Sequence, residues 1–333
     1  MNERHTMEDR DEHDIARLLK NVGARSQPAT QAAAEVRAAV EAEWRSVVSA
    51  RRQRRRFTGW AAAAGIAVAA VGAWVARPLY LPEPATVATV ARVVGEVQIE
   101  SSRGQWTRVA AGDTVRAGAA VRTGSDGRTA LDLPSGVRVR LDTGTALAFN
   151  SLEDASMSRG AVYVDSGSDA APNAARFVLE TPAGDVRHLG TQYEARLDDG
   201  GLRVGIREGR VEVSGRRASV IGAAGEVLAL RDGQVTRSAL APNASAWNWV
   251  TDITPPFSID GRTVEEFLTW AGRETGRRVV YASPEVEQLA RSVTLSGTVD
   301  GLRPQQAVAA VLATTSLETT VVDGSIEVGH ARH

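Results

Sequence analysis

A threonine hydroxyl beside a glycine carbonyl can break its own peptide bond. In the stretch HLGTQYEAR, Gly190 precedes Thr191. The hydroxyl can attack the carbonyl just before it and convert the amide to an ester, which water then opens. That chemistry needs a strained backbone, and glycine is the residue that permits unusual φ and ψ. Gly144–Thr145 and Gly297–Thr298 are Gly-Thr pairs too, so on the dipeptide alone a plain turn or strand start is the better reading. Other reactive groups are scattered. The histidines are His5, His13, His188, His330 and His333, and the closing HARH is a weak metal pair at a chain end. No HExxH motif is present, and no serine stands in a Gly-x-Ser-x-Gly elbow. Asp198-Asp199-Gly200-Gly201 suits a hairpin turn better than a carboxylate dyad. The chain lacks cysteine, which excludes disulfides, thiolate metal sites and a cysteine nucleophile. Lys20 is the only lysine and Asn21 follows it, so there is no phosphate-cradling P-loop. Neither an ordinary enzyme nor a metal or cofactor site is expected.

The elements that would hold such residues divide at an apolar run. Residues Phe57 to Ala76 read FTGWAAAAGIAVAAVGAWVA without a charge, and Arg51, Arg52, Arg54, Arg55 and Arg56 stand directly before them. At ~1.5 Å per residue such a helix reaches ~30 Å, the thickness of a hydrocarbon core. The arginine excess on one flank places residues 1–56 in the cytoplasm and the rest outside. Arg54, Arg55 and Arg56 at anionic headgroups, with Trp60 and Trp74 at the two interfaces, form the anchor. A buried core helix and a cleaved export signal, for which Arg54-Arg55-Arg56-Phe57 supplies part of a twin-arginine pattern, are the competing readings. The net charge of −1 gives no global attraction to nucleic acid, and none is expected as a direct partner.

Before the span, Ile15, Leu18, Leu19 and Val22 recur at helical spacing, and Val36, Val40, Trp44, Val47 and Val48 stripe a second helix. Two helices this small cannot fully cover both stripes, so a partner helix is the natural cover. After a proline-rich linker at 77–86, the period changes to alternation. Val137, Val139 and Leu141 alternate with Arg138, Arg140 and Asp142, the pattern of a half-buried strand, and Asp126-Gly127 signals a hairpin. Residues 87–237 are thus an all-β domain, a sandwich or a solenoid-like stack. A linker at 238–256 carries Trp247 and Trp249 for docking on a neighbouring domain. Residues 257–329 follow as a small α+β domain ordered β-α-β-β-α-β-β, with FSID and SVTLSGTVDG among its strands, and 330–333 form a tail. Thr263 with Glu266 three residues on marks a capping box in that domain. The whole is a multidomain α+β chain: short cytoplasmic helices, one transmembrane helix, an all-β exported domain and the small terminal domain.

This order resembles the FecR family of transmembrane sigma-factor regulators. The stretches GEVQI, GDTVRAGAAVRTGSDGRTALDLPSGVRVRLDTGTAL and FVLETPAGDVRHLGTQYEAR, through to REGRVEV, look like the family's exported domain. FSIDGRTVEEFLTWAGRETG and LRPQQAVAAVLATTSLE look like the secretin/TonB short N-terminal domain. The resemblance implies a single-pass bacterial inner-membrane protein with its N-terminus in the cytoplasm and its later domains in the periplasm. It implies an anti-sigma role toward an extracytoplasmic-function sigma factor, with the signalling domain of an outer-membrane TonB-dependent transporter as a further partner. It also implies cleavage at the position matched by Gly190–Thr191. Ile15, Leu18, Leu19, Val36, Val40 and Trp44 are then the expected sigma contacts. The N-terminal part departs from the family pattern, since Trp44 is its only tryptophan. A periplasmic scaffold that binds glycan or another envelope component is the alternative.

Overall fold

The computed structural model describes residues 34–45, 84–100, 104–167, 177–188, 190–199, 201–215 and 219–331. The chain separates into two compact units, Met1–Pro82 and Glu83–His333. In the first, residues 34–45 are helical (α1). Val36, Val40 and Trp44 lie one turn apart along it and are 65%, 62% and 69% exposed. Ile15, Leu18, Leu19 and the anchor residues Arg54, Arg55, Arg56, Trp60 and Trp74 lie outside the described residues, as does the whole 57–76 run. Among the described residues, no helix is long and apolar enough to cross a membrane.

The second unit is mostly β. Its first strands in chain order are β1 (Thr86–Val94), β2 (Val97–Glu100), β3 (Trp106–Arg108), β4 (Thr114–Arg116), β5 (Ala120–Thr123), β6 (Arg128–Asp132), β7 (Arg138–Leu141), β8 (Ala146–Phe149) and β9 (Asp154–Asp165). Then follow β10 (Val178–Glu180), β11 (Asp185–His188), β12 (Gln192–Asp198), β13 (Gly201–Glu208), β14 (Arg210–Ser214), β15 (Ser219–Ala223), β16 (Glu226–Arg231) and β17 (Gln234–Ala239). Pairing sorts them into two layers. One runs β4-β1-β6-β7-β9-β12-β13-β16-β17 and the other β3-β2-β5-β8-β9-β10-β11-β14-β15. The long β9 belongs to both, its first half in the second layer and its second half in the first. One face of each layer fills a common core with Val139, Leu141, Tyr193 and Ile206 from the first and Leu147, Phe149, Leu179 and Val213 from the second. The domain is therefore a sandwich of two sheets joined along one strand.

Two local expectations are corrected. Asp126–Gly127 does not close a hairpin. β5 and β6, which it joins, pair in different layers, so the turn is a corner between sheets. A Cβ on Gly127 would lie 1.9 Å from the Glu96 carbonyl oxygen, which is why glycine stands there. Arg140 alternates outward as the strand pattern requires, yet it is 1% exposed. The outer face of the first sheet is covered by Trp247, Trp249, Val250 and Ile253, which pack on Ala130, Ala161 and Tyr163.

The terminal domain comprises α2 (Asn248–Asp252) in the connection, then α3 (Val264–Thr275), β18 (Arg278–Tyr281), α4 (Pro284–Ser292), α5 (Pro304–Leu312), β19 (Leu317–Val322) and β20 (Ser325–His330). The strands form one sheet in the order β18-β20-β19. Thr263 caps α3 in a full capping box with Glu266, and Gly276 ends it at φ 66°. FSID and SVTLSGTVDG are not strands; FSID pairs with no strand, and SVTLSGTVDG makes only a single bridge, Thr294 to Thr263. Phe257 instead stacks on Trp270 at 4.6 Å, so its apolar surface is buried by a helix. The intervening SPEVEQLARS forms α4, with Ser283 as cap and Pro284 in its first turn.

Candidate functional site

The three Gly-Thr pairs share one backbone feature and differ in another. Gly144, Gly190 and Gly297 all have positive φ, at 67°, 81° and 108°. Their threonines are treated differently. Thr145 Oγ1 accepts a bond from the Ala161 amide at 3.0 Å and donates to the Ala161 carbonyl at 3.1 Å. Thr298 is exposed, and its hydroxyl accepts from the Asp300 amide. Thr191 is 2% exposed and its hydroxyl has no hydrogen-bond partner among the described residues. A buried hydroxyl without a partner costs about 1–3 kcal/mol and calls for an explanation.

The surroundings hold this junction from several directions. β9 ends at Asp165 and β12 begins at Gln192, which pair in register. One step further, the Thr191 amide donates to Ser166 Oγ at 2.8 Å, while the Ser166 amide and hydroxyl both donate to the Thr191 carbonyl, at 3.1 and 3.2 Å. Ser166 is itself buried. On the other side β13 ends at Glu208, and Gly209 follows at φ 74°. A Cβ on Gly209 would stand 2.1 Å from the Gly190 carbonyl oxygen and 2.9 Å from Thr191 Cγ2. Gly209 therefore exists to let the Gly190 carbonyl lie against the chain. The nitrogen of the Gly190–Thr191 amide is thus held by Ser166, its oxygen lies close against Gly209, and an unpartnered hydroxyl stands beside it.

Electrostatics around the site are set by burial and arginines. Burial would push the Asp165 carboxyl up, but the hydrogen bond from Arg273 and the charges of Arg273 and Arg138 outweigh it and hold its pKa below the ordinary value. Burial drives the Tyr193 phenol well above its usual range, so it stays protonated under His188, which stacks on it at 6.5 Å. Tyr163, on the outer face, is pushed to about 12 by burial.

Sequence reasoning picked out Gly190 and Thr191 but not Ser166, Gly209, Asp165 or Arg273. Ser166 lay in a stretch that resembled an ordinary strand end, and no spacing rule links it to Thr191. The structure keeps Asp198 and Gly201 as the ends of the β12–β13 hairpin. Among the described residues no cluster of histidine, aspartate and glutamate could hold a metal ion.

This sandwich with a braced Gly-Thr junction defines a class of β-rich domain. Residues 119–212, from the start of β5 into β14 and through the junction, match the FecR protein family. Two crystal structures of a candidate anti-sigma factor from Parabacteroides distasonis, at 1.65 and 2.50 Å resolution, are each 16% identical to this chain. Each alignment covers 64% of this chain and 99% of theirs, with TM-scores of 0.34 and 0.33. No curated protein matches the chain. The family match supports a regulator role.

Proposed function

We propose that the protein is a membrane-anchored regulator of an extracytoplasmic-function sigma factor, relaying a periplasmic signal to transcription. The observation that carries this reading is the FecR match over residues 119–212. Two further features support it. The apolar run at 57–76, with arginines on its N-terminal flank only, suits a single span with the N-terminus inside. Val36, Val40 and Trp44 form an exposed apolar stripe on α1, a surface suited to a partner helix. Ile15, Leu18 and Leu19 form a second apolar stripe at helical spacing in the sequence. The small terminal domain receives the signal, from the signalling domain of an outer-membrane transporter in the simplest case.

The junction gives this regulator a breakable point. Thr191 Oγ adds to the Gly190 carbonyl carbon, the C–N bond breaks, and the hydroxyl proton passes to the departing amine. Water then opens the ester, leaving a Gly190 carboxylate and restoring the hydroxyl of Thr191, which keeps the free amine formed in the first step. The positive φ of Gly190 and the unpartnered hydroxyl of Thr191 support this step.

The regulatory role is tested by transcription. Residues 1–56 produced alone should silence a promoter served by the cognate sigma factor, and Leu18→Asp with Val40→Asp should restore its output. Unchanged promoter activity with each sigma factor of the host would refute the antagonist role.

A further inference from the structure

The terminal domain meets the sandwich through charged groups, and two of those contacts flank the junction. Asp165, the last residue of β9, precedes Ser166, which bonds Thr191 in both directions. Glu208, the last residue of β13, precedes Gly209, against which the Gly190 carbonyl lies. Arg273, in the last turn of α3, reaches both carboxylates, at 2.5 Å from Asp165 Oδ1 and 3.0 Å from Glu208 Oε2. Arg138 at 3.5 Å, Gln192 Nε2 at 3.3 Å and the Gly167 amide at 2.9 Å also contact Asp165. The next residue of the same helix, Glu274, is buried in a two-pronged pair with Arg140, 2.8 Å on each side. The main apolar cores of the sandwich and the terminal domain have no residue in common. One helix turn therefore carries a charged fastening that lands on both sides of a single peptide bond.

We infer that Arg273 is a positioning residue for the Gly190–Thr191 junction, clamping Asp165 and Glu208 so that docking of the terminal domain holds the junction bent, with Thr191 buried behind an exposed Gly190. The clamp makes the terminal domain the part that senses and the junction the part that responds. A ligand or partner that draws α3 away removes the charge between the two carboxylates and frees Ser166 and Gly209 to move off Thr191 and Gly190. Only the consequence for bond scission rests on the reading given above; the clamp stands on its own geometry.

Amide hydrogen exchange of the full chain tests it. In Arg273→Met the Thr191 and Gln192 amides should exchange about tenfold faster or more, while those of β2 and β5 at the far end of the sandwich stay as they are. Arg262→Met, which removes only an exposed pair with Glu266 on the same domain, should leave every one of these rates unchanged. Because Arg273→Met strips a counter-charge from a buried carboxylate, a second variant guards against loss of fold. Glu208 is 56% exposed, and Glu208→Gln should still accelerate exchange at Thr191 with no change in melting. Intact mass measured on the same samples should show slower scission in Arg273→Met. Wild-type exchange in both Arg273→Met and Glu208→Gln would overturn the clamp. A wild-type chain that stays whole, with exchange accelerated in the variants, would sink the scission reading and leave the clamp standing.

Discussion

At the scale of residues, the account turns on one hydroxyl. Three glycines have positive φ before a threonine, so backbone strain alone selects none of them. What separates Thr191 is the company it keeps. Purified protein should yield two pieces divided after Gly190 by mass spectrometry, and Thr191→Ala should remain whole. Gly209→Ala should act at a distance. Its methyl has no room beside the Gly190 oxygen, so the junction must shift, at a cost of about 1–3 kcal/mol in stability read by denaturant unfolding, and scission should slow. The sequence made the Gly-Thr pair visible because the pair is contiguous. It hid Ser166 and Gly209 because both reach the bond through sheet pairing, and neither carries a type or spacing that announces it.

At the scale of elements, local signals were legible and tertiary ones were not. Thr263 with Glu266 specified the start of α3, and the box is present with both bonds. Thr263→Ala should therefore cost about 1 kcal/mol, measured by urea unfolding. FSID has the composition of a strand but no partner strand, and stacking of Phe257 on Trp270 decided its fate. The Arg138–Arg140–Asp142 alternation correctly placed Val139 and Leu141 in the core, yet the face opposite them is an interface with the connection and α3 rather than solvent. Arg140 and Glu274 show what that interface demands. Both are buried, and Glu274→Gln leaves the guanidinium without its counter-charge, which should cost about 3–5 kcal/mol. A loss under 1 kcal/mol in chemical denaturation would contradict that assignment.

At the scale of the whole molecule, charge and topology set the remaining expectations. Asp165 and Asp142 both titrate below the ordinary 3.8 of an aspartate, each held down by arginines against the opposing effect of burial. A depressed carboxyl stabilises the fold above its unfolded pKa and ceases to do so as the pH falls through the folded one. Stability should hold through neutral and mildly acidic pH and fall away below about pH 4, and Asp165→Asn should flatten that slope in acid titrations followed by fluorescence. Fusions made after Arg56 and after Tyr80 should report opposite sides of the membrane. The β-rich architecture could be read from alternation and turn residues, but the choice between sandwich and stack required knowing that β9 serves both sheets. The claim on which the account rests is that the N-terminal helices seize a sigma factor, and direct capture tests it most simply. Residues 1–56, tagged and co-expressed with each extracytoplasmic-function sigma factor of the host, should retain one of them through purification, and Leu18→Asp with Val40→Asp should lose it. A purified segment that retains none, while α1 remains helical, would contradict the account.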